Sequence, residues 1–454
     1  MRIGKARGEQ GTQLGIPSAR PAVPDTPVDA AESSGLAAFR AAVSESLHVL
    51  ASRRFGVFWS ANFLSNVGTW AQMVAQPWLL LSLGSSSFLL GLDAFALSGP
   101  VLLLTLFGGV LADRADRRRV IVLFQSIQML CPTLIVLLLG WGTVRPWEVI
   151  CLSLVIGVTD ALSMPAFQTI VPSIVEASEV PAATALNSAQ FNLCRILGPA
   201  LAGLIMAWTG ALGAFAVSAA SYLPVIFIAL TLLPSGAAIA RGMVPTDYRQ
   251  LFSGVRETMQ DATLRGAVLT VFSSSALCGP LMTFCPVLIR DAFRGDVASF
   301  GIAVSAFGVG GVLGAAGLLG VRASRDRRKL TSFAGVLYGL VLVAAAVDQW
   351  FWVLPAVLAL GGIAMTLCDT SANTLILARA TARARGEAVS LYMLSMRGGL
   401  AAGSLVTGLV VARLGVREAL LINGLLAIAV QGYLARAWFA DGSGRSQIKS
   451  GSPP

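Results

Sequence analysis

The chain has 454 residues, 55% of them hydrophobic and only 12% charged, against about 25% charged in an ordinary soluble domain. That composition excludes a soluble globular protein and describes an integral membrane protein. The net charge of +10 does not mark a nucleic-acid surface, because the basic residues recur in short gaps between apolar runs rather than in one patch.

Residues 1–35 are rich in Gly, Pro, Ala and Arg without an apolar period and read as a disordered tail. Together with a possible surface helix they make up a tail region over 1–50. No cleavable signal is expected, since the first apolar run begins after residue 50 and is too long. A span needs about 20 apolar residues. The runs that meet this are 55–83, 88–112, 119–140, 147–171, 187–208, 211–233, 264–289, 298–321, 330–347, 350–377, 386–412 and 416–437. The expected fold is therefore an all-α integral membrane protein of about twelve transmembrane helices.

Alternate gaps are basic. One set holds Arg53 and Arg54, Arg114 to Arg119, Arg241, Arg249, Arg256, Arg322 to Lys329, and Arg379 to Arg385; the other holds little beyond Arg145, Arg290, Arg294, Arg413 and Arg417. By the positive-inside rule both termini face the cytoplasm. The gap 172–186, with Glu176 and Glu179 and no base, is not explained by charge.

The longest gap, 234–263, is a cytoplasmic linker that divides the spans into bundles over 51–233 and 264–438, with a tail over 439–454. Gly198, Gly203 and Gly210 recur 205 residues later as Gly403, Gly408 and Gly415, and Asp116-Arg117-Arg118 recurs 210 later as Asp326-Arg327-Arg328. Such matches indicate two pseudo-symmetric six-helix halves, with a site between them near the midplane.

A charge inside a span costs about 2.5–3.5 kcal/mol on insertion scales and calls for a partner or a watery cavity. Asp93, Asp160, Arg195, Asp369 and Arg397 lie well inside spans. Each half offers an acid followed by a base on the next helix, so the expected ion pairs are Asp160 with Arg195 and Asp369 with Arg397. They are either static ties or a pair that opens when substrate or a proton binds. In the first span Asn62, Asn66, Thr69, Met73 and Gln76 share one helical face, with Trp70 and Trp78 nearby. That face is expected to line a binding cavity, with hydrogen-bond glue between helices as the alternative. Asn187, Gln190, Asn192, Asn373, Tyr392 and Ser395 add polar or aromatic groups in other spans. Gly198, Pro199 and Gly203 put a bend at a close helix contact.

No cofactor is expected. A Walker A loop and a His-Glu-x-x-His motif are both absent, and a single histidine rules out a multi-histidine metal site. The six cysteines are scattered through apolar runs and read as small packing residues.

The stretch from Gly109 through Asp113, Arg114, Asp116, Arg117 and Arg118 resembles the loop between helices two and three of the major facilitator superfamily of secondary transporters. Residues 68–78, 185–199 and 385–397 resemble the branch that includes the enterobactin exporter and related transmembrane secretion effectors. The resemblance implies a gating loop in which Asp113 pairs with Arg117 and sits against helix eleven near Gly386 to Val389. Asp116 stands where glycine is usual, and Ala323 replaces the first acid in the second copy. Residues 198–203 resemble the fifth-helix antiporter motif, with Ala202 in place of a glycine. The fourth-helix arginine often linked to proton coupling is absent, and Asp160 lies in that helix instead. The implied activity is export of a small organic molecule, such as a siderophore, antibiotic or other secondary metabolite, by alternating access. The implied location is the bacterial cytoplasmic membrane. The expected partners are that substrate, a proton as coupling ion and the lipid bilayer, with the chain acting as a monomer. A metabolite importer of the same fold, or a non-transporting scaffold or receptor, are the alternatives.

Overall fold

The computed structural model describes residues 46–104, 107, 115–233, 256–319, 326–380 and 385–448. The expected tail over 1–45, linker residues 234–255, Ala323, and Gly109, Asp113 and Arg114 of the expected gating loop lie outside the described residues. Among the described residues all regular structure is helical. Lipid offers the backbone no hydrogen bonds, so each apolar run must satisfy its own as a helix.

Ten of the helices are long and apolar enough to cross a membrane. One of these, Val180–Thr231, is two helices joined at Gly210, whose φ of 67° is left-handed. Arg53–Ser82 is also long enough, at 30 residues, and its polar face is what keeps its hydropathy below that of the ten. The order is α1 Arg53–Ser82, α2 Ser87–Leu104, α3 Arg117–Gly140, α4 Pro146–Ile170, α5 180–209 and α6 211–231 in the first half. The second half has α7 Ala262–Ala292, α8 Val297–Leu319, α9 Arg327–Val347, α10 Leu354–Arg379, α11 Arg385–Leu414 and α12 Val416–Ile448. The fifth span starts earlier than its hydropathy indicates, at Val180, after a 3-10 turn over Val171–Ser173.

The repeated Asp-Arg-Arg has a local cause. Asp116 caps the N-terminus of α3 by accepting the Arg118 amide at 3.0 Å, and Asp326 caps α9 by accepting the Arg328 amide at 3.0 Å. An acid at Asp116 thus completes the helix start that the usual glycine would leave uncapped.

The halves meet along two helix pairs, α2 with α11 and α5 with α8. Both crossings are made close by glycine. A Cβ on Gly203 would collide with the Gly301 carbonyl, and one on Gly91 would lie 2.5 Å from the Ser404 carbonyl, beside Gly408. Gly203 and Gly408 are the repeat mates noted above, so the two crossings are pseudo-symmetric.

The two ends of the bundle differ. At the end opposite the basic gaps, one apolar core runs through both halves, from Leu79, Leu80 and Leu90 to Leu281, Phe284 and Phe300. There the Trp78 and Phe300 rings stack with centroids 5.2 Å apart, and Arg290 Nη1 donates to the Leu81 carbonyl at 2.8 Å. At the basic end the core is split. Phe55, Phe58, Ile121, Phe124 and Val225 form one cluster, and Leu264, Val271, Ile376 and Tyr392 form another.

Replacing Gly203 by Ala is expected to cost about 1–3 kcal/mol by overpacking the α5–α8 crossing. Gly317→Ala, where a Cβ meets nothing within 4 Å, is expected to be neutral or slightly stabilising; thermal unfolding in detergent measures both. Partial burial disfavours the charged form of Asp326, but hydrogen bonds from the Arg328 side chain and amide outweigh it and hold the carboxyl below the usual range. Its stabilising contribution is therefore complete above the unfolded carboxylate value, about pH 4, and is lost as pH falls through the lower folded value. Asp326→Asn is expected to lower the thermal midpoint at neutral pH and to shrink the acid-dependent fall.

Candidate functional site

A cavity of about 140 Å³ lies between the halves. Trp70, Met73 and Pro199 line it from the first half, and Met282, Phe307, Tyr338, Met365 and Met396 from the second, with Arg195, Asp369 and Arg397 in the same wall. Thioether and aromatic side chains make a wall that adapts to flat apolar ligands. The three charged groups supply polar anchors.

The charges do not pair as the sequence order indicates. Arg195 on α5 pairs with Asp369 on α10, and Arg397 on α11 pairs with Asp160 on α4 at 3.2 Å. Both pairs cross from one half to the other, which corrects the expectation of one pair within each half. The reason is geometric. The residues of each half that face the midplane face the other half, so the nearest opposite charge lies across the gap. The exchange is reciprocal by helix: an acid on α4 and a base on α5 meet a base on α11 and an acid on α10, each about one turn from the position that the glycine repeat gives to its counterpart. The two pairs differ in solvent access. Arg195 and Asp369 are both over nine-tenths buried, whereas Asp160 keeps 30% of its side chain exposed. Arg195 also donates to Met396 Sδ at 3.2 Å, and the Tyr392 hydroxyl donates to the Asp369 carbonyl at 3.4 Å. Arg397 lies 5.9 Å from the centre of the Trp70 ring, within cation–π range.

The polar face of α1 divides. Trp70 and Met73 reach the cavity, but Asn62, Asn66 and Gln76 do not. Asn62 donates to Gln190 Oε1 at 3.2 Å, and Gln190 donates to the Trp59 carbonyl at 3.1 Å. Asn66 turns back to the Asn62 carbonyl at 2.9 Å, and Thr69 bonds the Tyr222 hydroxyl at 2.9 Å. Gln76 donates to both oxygens of Asp93. The glue alternative holds for Asn62, Thr69 and Gln76, which tie α1 to α5, to α6, and to α2 and α4 respectively, whereas Asn66 bonds within α1.

Asn187 is half-buried on α5 away from the cavity, and Asn373 Oδ1 is buried without a hydrogen-bond donor. Gly198 lies against Trp70, Pro199 lines the cavity and Gly203 makes the α5–α8 crossing, so this motif positions the cavity wall. Of the expected gating loop, Arg117 begins α3 and Arg118 donates to the Leu230 carbonyl at the end of α6. The expected Asp113–Arg117 latch lies outside the described residues. Sequence reasoning missed Met282, Phe307, Tyr338 and Met365, apolar residues in apolar spans with no periodic signal to mark them.

The family profile of the transmembrane secretion effectors matches residues 44–444. The chain belongs to that family. It is a multi-pass membrane transporter of the major facilitator superfamily rather than an enzyme. Among curated relatives, the staphyloferrin A transporter of Staphylococcus aureus is 25% identical over 381 residues, covering 82% of this chain and 93% of the relative. The multidrug efflux pump Tap of Mycolicibacterium fortuitum is 25% identical over 294 residues, 63% of this chain and 71% of that one. The enterobactin exporter EntS of Shigella boydii is 25% identical over 282 residues, 58% and 62% of the two chains. Among solved structures, the nucleoside transporter NupG superposes with a TM-score of 0.65 at 12% identity, covering 85% of this chain and 99% of that one. A bacterial homologue of the lysosomal transporter Spinster, inward-facing and unoccupied, gives 0.61 at 15% identity over 87% and 98%. These superpositions place this secretion effector in the major facilitator fold.

Removing one partner of a buried ion pair leaves an uncompensated charge and costs about 3–5 kcal/mol. Asp369→Asn is expected to lose that much. The exchange Arg195→Asp with Asp369→Arg is expected to recover most of it, while Arg195→Asp with Asp160→Arg recovers none. Unfolding midpoints of the purified variants measure this and separate pairing across the halves from pairing within them.

Proposed function

We propose that this chain exports a small organic molecule from the cytoplasm by alternating access, driven by a proton gradient, with a siderophore, antibiotic or other secondary metabolite as substrate. The observation that carries the reading is the pair of reciprocal ion bridges in the wall of a cavity between the halves. A ligand that enters must displace or share Arg397 and Asp369, whose ion-pair partners Asp160 and Arg195 belong to the first half, and so acts on both halves at once. The looser, partly exposed Asp160–Arg397 bridge opens first and the buried Arg195–Asp369 bridge persists as the pivot. The shared apolar core at the far end and the split core at the basic end support a state open toward the basic end. That end faces the cytoplasm of a bacterial inner membrane by the distribution of Arg and Lys, and both termini lie there.

The substrate class rests on relatives named for staphyloferrin A, enterobactin and multiple drugs, and on a cavity walled by methionine and aromatic side chains.

The test uses inside-out vesicles with an acid interior and an internal pH dye, challenged with a panel of siderophores and amphipathic antibiotics. Proton release on adding one compound class is expected. In Arg397→Ala the rate is expected to fall by more than about tenfold, equivalent to about 1.4 kcal/mol. Uptake of labelled compound without proton movement would remove the coupling and keep the exporter. Silence in both readouts would remove export itself and favour an importer.

A further inference from the structure

Arg195, Asp369 and Arg397 of the cavity wall, with Asp160 behind it, neutralise one another in pairs, which leaves Asp93 as the membrane-embedded charge without a counter-charge among the described residues. It is the sole charged residue of α2 and is 3% exposed. Gln76 Nε2 on α1 donates to its two oxygens at 2.8 and 3.0 Å, and Ser153 Oγ on α4 donates at 2.5 Å. Gln76 in turn accepts from Gln72 Nε2 at 3.3 Å, and Gln72 accepts from Ser218 Oγ on α6 at 2.9 Å. A chain of neutral donors therefore runs from α6 through α1 and ends on one carboxyl group.

The helices packed against α2 are α1, α4, α7 and α11. Their ionisable side chains lie elsewhere. On α1 these are Arg53 and Arg54 at the far end; on α4, Glu148 and Asp160; on α7, Arg265, Arg290 and Asp291; on α11, Arg385, Glu387, Arg397 and Arg413. The thiols Cys151, Cys278 and Cys285 and the Tyr392 hydroxyl are the remaining titratable groups on those helices. None of them bonds to or pairs with Asp93, whose partners among the described residues are Gln76 and Ser153.

We infer that Asp93 is the proton-binding site of this transporter, separate from the two ion pairs at the substrate cavity. An isolated carboxylate in a spanning helix calls for a positive partner, and a proton is the one cation that fits among these donors without added space. The exchange balances locally. The proton forms an O–H bond on Asp93, converting one acceptor oxygen to a donor. Ser153 also contacts the Val149 carbonyl at 2.9 Å, so its hydroxyl hydrogen swings onto that carbonyl and its oxygen accepts the new proton. On release, the hydroxyl swings back.

The site touches both moving parts. Gln72 and Gln76 flank Met73, which lines the cavity. Two residues from Asp93 is Gly91, at the α2–α11 crossing between the halves. Charging or neutralising Asp93 therefore acts on the cavity wall through α1 and on the interface of the halves through α2. This coupling role rests on the export reading above; proton binding itself does not.

The test has two arms, both on the full chain reconstituted in liposomes or inside-out vesicles. Infrared difference spectra across a pH step read the carbonyl stretch of protonated carboxylic acids. A band from a buried acid is expected in the wild type, absent in Asp93→Asn and retained in Asp160→Asn and Asp369→Asn. A band unchanged by Asp93→Asn overturns the assignment. The second arm follows ethidium as the probe. Asp93→Asn is expected to lose gradient-driven accumulation entirely while still equilibrating dye downhill, and Asp93→Glu to restore part of the accumulation. Accumulation at the wild-type level in Asp93→Asn also overturns it. Loss of both movements together with a lowered thermal midpoint would mark Asp93 as a structural residue and overturn it too. If wild-type vesicles move neither ethidium nor any compound of the panel while the Asp93 band is present, export fails and the proton site stands.

Discussion

A guanidinium in hydrocarbon must find an anion, and the distribution of anions in this chain decides where the two halves touch. Arg195 and Arg397 each have an acid on the preceding helix of their own half, but their side chains project into the space between the halves. The acids that meet them there, Asp369 and Asp160, come from the opposite bundle. The charge requirement of each half is thus satisfied only by the other. Neither half can swing away from the midplane without exposing its arginine to lipid or replacing the lost partner with water or a ligand.

The remaining architecture makes such movement affordable. Glycine at Gly91, Gly203, Gly301 and Gly408 lets α2 run against α11 and α5 against α8 at backbone distance, so the contacts between the halves are smooth ridges rather than interlocked side chains. One end is held by a continuous core with Trp78 stacked on Phe300, whereas at the other the halves have separate clusters, bridged by Phe191 of α5 against that of the second half. A molecule sealed at one end, split at the other and tied by charge between them has the asymmetry that alternating access requires.

Much of this was legible in the residues. The apolar runs, the alternating basic gaps and the glycine repeats at an offset of 205 gave the helices and the kinship of the halves, because each depends on local composition. The embedded charges could be picked out for the same reason, since lipid makes any of them conspicuous. Their partners could not. Pairing depends on which way a helix face points after the halves dock, and adjacency in the chain carries no information about that. The α1 stripe is a similar case: a period of 3.6 shows that Asn62, Asn66 and Gln76 share a face, but not that α5 meets Asn62 while α2 and α4 meet Gln76. Met282 and Met365 left no trace, because a methionine beside a cavity and one beside lipid look alike in sequence.

The described residues with left-handed backbone are Gly84, Gly142, Gly210, Arg294 and Gly415, and each joins an odd-numbered helix to the next at the end away from the basic gaps. Gly210 and Gly415 are single-residue joints between α5 and α6 and between α11 and α12. Chain slack is therefore distributed unequally. At the joint ends of these helix pairs there is no loop to lengthen, decorate or cut, and little for an antibody or a phage to grip. At those two joints the surface is shaped by helix ends.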